Sequence, residues 1–173
     1  MSSSVAPQLT IEVGVLVERS KGASRWADVI WRPTGILTGV PDTPAWSKLS
    51  DDGERATFYA GVAEIALYRS EAGNYRENLL VEAPLLWVVL HPAVGDPPFG
   101  PPTVTADPAE GEAWAGTPEV TVDSVPMPDT IREQVAAFVA EHHVEQAFSK
   151  RKRDRADPEA LARRAPQGHG QKP

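Results

Sequence analysis

Leu9-Thr10-Ile11-Glu12-Val13-Gly14-Val15-Leu16-Val17-Glu18 carries the strongest structural signal in the chain. Leu9, Ile11, Val13, Val15 and Val17 alternate with Thr10, Glu12, Gly14, Leu16 and Glu18. Side chains on a strand point to opposite faces in turn, so this alternation predicts a strand with one face in a core and the other largely in water. Sheets that tolerate one wet face are antiparallel, which makes a mainly antiparallel sheet the expected frame of the domain.

Downstream, Ser20 to Ser24 with Gly22 reads as a turn, and Trp26 to Leu37 as a second strand carrying Trp26, Trp31 and Ile36. Pro33 lacks the ladder donor and predicts a bend or a sheet edge there. Gly39 to Pro44 is a turn-rich connection. Asp51-Asp52-Gly53 is a turn between the Trp46 segment and a third strand, Arg55 to Val62, which continues through Ile65 and Leu67 past a bulge or turn at Gly61. Glu71 to Asn78 is short and polar and reads as a loop or a single helical turn. Leu85 to Leu90 is continuously apolar, the mark of a central strand covered on both faces. Pro92 to Pro102 holds five of the 17 prolines and reads as an ordered or semi-rigid surface loop.

Asp107-Pro108-Ala109-Glu110 places an N-cap, a first-turn proline and a third-position carboxylate together, predicting a short helix that stops near Gly116. Glu119 to Val125 alternates as a last strand. Asp129 then caps a main helix running to Phe148, with Ile131, Val135, Phe138, Val139 and His142 on one face. A second short helix is expected over Asp157 to Arg164. The class is α+β: a mainly antiparallel twisted sheet or partly open barrel, covered by the C-terminal amphipathic helix, with a short additional helix and a basic tail. Residues 1–8 read as a polar leader, 9–149 as a single domain, and 150–173 as a basic tail, flexible or docked on a partner.

A chain of 173 residues with 41% hydrophobic content buries one sizeable core. Its start does not resemble a signal peptide and no run of about 18 apolar residues occurs, so a cytoplasmic protein without membrane insertion is expected. With no cysteine, thiolate chemistry, disulfides and iron–sulfur ligation are excluded. The net charge of -7 is unevenly spread. Residues 150–173 carry eight of the 17 Lys and Arg but three of the 24 Asp and Glu, giving the tail +5 and the rest -12. A basic tail invites anions or acidic protein surfaces, while an acidic body discourages nucleic acid.

Residue patterns for catalysis are weak. His142 and His143 with Glu141 and Glu145 could suggest a metal, but on a helix only His142 and Glu145 have ligand spacing, and two ligands do not make a site. Asp51-Asp52 and Glu110 to Glu112 read as solvated carboxylates in turns and on a helix surface. There is no Gly-x-Ser-x-Gly elbow, phosphate loop or dinucleotide fingerprint. No cofactor is expected. Among Trp26, Trp31, Trp46, Trp87 and Trp114, most are expected in core or rim packing, Trp87 most securely, while Trp46 is the one expected to face a partner. Lys150, Arg151, Lys152, Arg153 and Arg155 form the candidate docking run. Tyr75, Arg76 and Asn78 form a second candidate surface, weighed equally against a capping role inside the domain.

Several stretches resemble an uncharacterised bacterial domain family whose genes sit beside those of molybdenum-dependent formate dehydrogenases and their maturation factors. They are Val13-Gly14-Val15-Leu16-Val17-Glu18-Arg19, Trp26 with Trp31-Arg32-Pro33, Tyr75-Arg76-Glu77-Asn78-Leu79, and Leu86-Trp87-Val88-Val89-Leu90. To these are added Val125-Pro126-Met127-Pro128, the run Phe138 to Glu145, and Phe148-Ser149-Lys150-Arg151-Lys152-Arg153. The likeness spans Leu9 to Arg155 and leaves the far tail outside. It brings no catalytic or binding residues. It implies a non-catalytic accessory or assembly subunit that binds a formate dehydrogenase subunit or maturation factor. Two other readings stay open: a regulatory or nucleic-acid-associated protein using the basic tail, and a small-ligand binder or enzyme with a tryptophan-lined pocket.

Overall fold

The computed structural model describes residues 5–22 and 29–143. The alternating stretch forms β1 (Leu9–Ser20), followed by β2 (Ile30–Leu37), β3 (Ser47–Asp51) and β4 (Arg55–Leu67). These make one antiparallel sheet in the order β2-β1-β4-β3. After a single 3-10 turn come α1 (Ala72–Leu80), β5 (Leu85–Leu90), β6 (Thr103–Thr105), α2 (Pro108–Ala115), β7 (Thr121–Pro126) and α3 (Asp129–His142). β5, β6 and β7 form a second antiparallel sheet in the order β6-β5-β7. The expected single sheet or partly open barrel is therefore corrected to two sheets that do not close. β2 runs alongside β7 and β4 approaches β6, but no backbone ladder joins either pair.

β1 runs unbroken, and Ile11, Val13, Val15 and Val17 all face the core. Its neighbours hold the irregularities. Val15 pairs with Gly61 and Leu16 with Tyr59, leaving Ala60 as the extra residue of a β4 bulge, where Gly61 takes φ 117. One inserted residue switches the parity of a strand. Phe58 therefore lies opposite Val17 on the core face, and Tyr59 opposite Leu16 on the outer one. Pro33 sits on β2, a marginal strand, opposite Val17 and beside a second bulge.

The second sheet turns Leu86, Val88 and Leu90 inward. Trp87, expected in the core, is instead half-buried on the opposite face against Gly111 of α2. Asp107 caps α2 as the sequence predicted, its carboxylate accepting from the Ala109 N–H at 2.8 Å. At α3 the N-cap is Pro128, not Asp129, which lies in the first turn as an acid favoured by the helix dipole. α3 packs on α1 and buries Ile131, Val135 and Phe138, each worth about 1.5–3 kcal/mol by removal from water. The predicted extension to Phe148 and the helix over Asp157 to Arg164 lie outside the described residues.

α1 corrects the reading of Glu71 to Asn78 as a loop or single turn. Gly73, Asn74 and Asn78 are poor helix formers, so its place is fixed by what Ala72, Tyr75 and Asn78 bury.

Candidate partner-binding surface

At one end of the first sheet, four aromatic rings from separate elements meet. Trp31 of β2 is 5.3 Å from Phe58 of β4, 5.5 Å from Phe99 of the proline loop and 6.2 Å from Trp46, which precedes β3. Trp46 and Phe99 stack at 5.6 Å. The Arg19 guanidinium lies 5.2 Å from the Phe58 ring centre and 5.8 Å from that of Trp31, and the Lys48 ammonium 5.9 Å from Phe58. These cations sit in the electron-rich field of the rings. Both also face Asp51, Lys48 at 2.9 Å and Arg19 at 3.8 Å. Lys48, and next the Gly53 N–H, hold the Asp51 carboxyl below its ordinary pKa. The Arg55 and Glu54 N–H groups do the same for Asp52, fixing the predicted hairpin turn.

Trp46 adopts φ 63, a left-handed conformation that costs a residue with a Cβ roughly 1–2 kcal/mol. Its N–H pairs with the Tyr59 carbonyl, and this kink lets the indole lie on Phe99. Phe99 is set by the proline loop, whose ends are tied by the Pro92 and Phe99 bridge and by Gly100 N–H donating to the His91 carbonyl at 2.9 Å. Beside the stacked pair opens a groove of about 320 Å³ between Ala45, Trp46, Gly61 and Val62 on one side and Phe99 to Pro102 on the other. None of its walls carries an ionisable side chain. β3 pairs with β4 only as far as Tyr59, so at Gly61 and Val62 that edge of β4 has no strand partner among the described residues.

The second surface expected from the sequence is only partly external. Tyr75 and Asn78 are buried and serve the interior. The Tyr75 hydroxyl accepts from the Tyr68 N–H at 3.0 Å, and its ring meets Phe138. Asn78 donates to the Leu85 and Ala106 carbonyls at 2.8 and 2.9 Å and accepts from the Leu85 N–H at 3.1 Å. Arg76, half-buried, borders a shallow depression with Asn74, Glu112 and His143. Lys150, Arg151, Lys152, Arg153 and Arg155, and also Trp26, lie outside the described residues. His142 packs on Phe138 at 4.4 Å, while His143 is already past the helix end. Among the described residues no three His, Asp or Glu side chains gather as metal ligands.

Trp46 carried a sequence signal, an aromatic in a turn-rich stretch. Phe99 carried none: its ring reaches Trp46 only through the bulge, the kink and the tied loop, which are tertiary features.

Fold and surface together define an α+β domain of two antiparallel sheets with an aromatic groove at its rim. Residues 12–152 match the family described as Protein of unknown function (DUF3305), and the chain belongs to that family. No curated protein and no solved structure matches the chain. No helix among the described residues is long and apolar enough to cross a membrane.

Proposed function

We propose that this protein is a non-catalytic accessory or assembly subunit that works by binding another protein, and that its partner is a molybdopterin-containing formate dehydrogenase or one of its maturation factors. The carrying observation is the rim where Trp46 and Phe99, each half-buried, stack beside an uncharged groove, while the neighbouring Trp31 and Phe58 rings carry Arg19 and Lys48. Tryptophan, phenylalanine and arginine are the residues that interfaces favour at their centres. The resemblance to a family encoded beside formate dehydrogenase genes supports the partner's identity. The run from Lys150 to Arg155 supplies salt-sensitive attraction to an acidic partner in the cytoplasm.

Tagged protein purified from its own host at low salt and analysed by mass spectrometry should carry a formate dehydrogenase subunit or maturation factor. A chain ending after Ser149 should hold it less tightly, and the difference should shrink as salt rises. Recovery of neither class of protein overturns the partner assignment. The groove's volume also suits a small apolar ligand. That reading would be favoured if such a molecule co-purified and no protein did.

A further inference from the structure

Resting on the reading of this protein as a partner-binding subunit, we propose that the groove beside Trp46 and Phe99 receives a proline-rich segment of that partner in the polyproline II conformation. Three observations converge on this occupant. The groove is walled by two stacked aromatics, by Pro101 and Pro102 and by the exposed Val62, with no charged side chain. With no ionic partner to offer, such a surface leaves a charged side chain desolvated and unpaired, and so selects an uncharged segment. At about 320 Å³ it has room for a few side chains of a bound peptide. Finally, the Trp46 indole N–H makes no hydrogen bond among the described residues and is not sealed from solvent. A polyproline II helix offers proline rings to aromatic faces and carbonyls free of internal hydrogen bonds, the acceptors that a lone indole donor needs.

Pre-organisation favours this pairing on both sides. The ligand has little freedom to lose, and the tied proline loop and kinked Trp46 hold the groove in shape without it.

The test titrates 15N-labelled full-length protein with capped octaproline, with a capped glycine–serine octapeptide as control. Octaproline should shift the Trp46 indole N–H resonance and the amides of Gly61, Val62 and Gly100, while the control leaves them in place. Val62→Lys, which charges an exposed side chain and spares the core, should weaken binding about tenfold. Trp46→Phe keeps a ring but removes the donor and should also weaken it. Absence of shifts at millimolar octaproline, equal shifts with the control, or full binding by Val62→Lys overturns the inference. So does a dimer of this chain that Val62→Lys dissociates while octaproline fails to bind. Octaproline binding with no partner recovered from the host sinks the proposed function instead and leaves the groove's chemistry standing.

Discussion

Arg32 of β2 reaches across to Asp123 of β7, its Nε 3.0 Å from the carboxylate, and so joins the margins of two sheets that share no backbone ladder. The Arg32 side chain is 70% exposed, however, and water and salt screen the attraction. What holds the sheets together is the core common to both. Arg32→Ala should therefore keep the fold and cost less than about 1 kcal/mol in urea unfolding, a loss that fades at high salt. Collapse of the domain would show that the pair, and not the core, closes the seam.

Two glycines in helices should respond to alanine in opposite directions. A methyl at Gly111 would stand 2.3 Å from Cγ of Trp87, so α2 must move off the sheet, at a cost of about 1–3 kcal/mol. At Gly73 nothing lies within 4 Å, and alanine there should stabilise α1 by up to about 1 kcal/mol. Melting temperatures of the two variants falling on opposite sides of the wild type would confirm this; equal shifts would not.

Tyr59 is 1% exposed, and its hydroxyl has no hydrogen-bond partner among the described residues. The ring covers Gly14, where a Cβ would come within 2.9 Å of it. Removing the hydroxyl should remove a desolvation cost and keep the packing. Tyr59→Phe is expected to be neutral or more stable by about 1 kcal/mol in denaturant unfolding. A clear loss would reveal a partner for the hydroxyl.

Much of the first sheet was legible in the sequence because β1 alternates without interruption, and the Asp51-Asp52-Gly53 turn, the Gly61 bulge and the Asp107 cap each announce a local geometry. Two things were hidden. The separation into two sheets depends on which strands find one another across the chain, and no local pattern encodes that. The place of Trp87 follows from parity: in a continuously apolar strand, neither face is marked as inward. α1 was missed for a related reason, since its helix is stabilised by distant neighbours and its sequence is polar. The groove was half legible, Trp46 by its surroundings and Phe99 not at all.

Asn78 links α1 to β5 and to the entry of α2 through three hydrogen bonds. Asn78→Ala strands these backbone groups in the interior, so a loss of at least about 2 kcal/mol is expected. Asn78→Asp keeps the acceptor but turns the donor against two carbonyls. It should be markedly less stable at neutral pH than near pH 4, where the carboxyl regains a proton. A variant as stable as the wild type would mean that Asn78 is an interface residue after all.

Tyr75 gives the fold a limit in alkali. Burial, and then repulsion from Asp107, Glu71 and Glu110, pushes its pKa from 10.0 up to about 12, against the opposing pull of the Tyr68 N–H. The folded state therefore holds the phenol proton more tightly than the unfolded chain does. The resulting stabilisation is complete below about pH 10 and is lost as pH rises towards 12. Tyr75→Phe removes the titration together with one hydrogen bond worth about 1 kcal/mol. At pH 9 the variant should be slightly the weaker. The gap should close and then reverse between pH 10 and 12, as measured by chemical denaturation of the two proteins side by side. A gap that stays constant across that window would show that the hydroxyl ionises as it does in water.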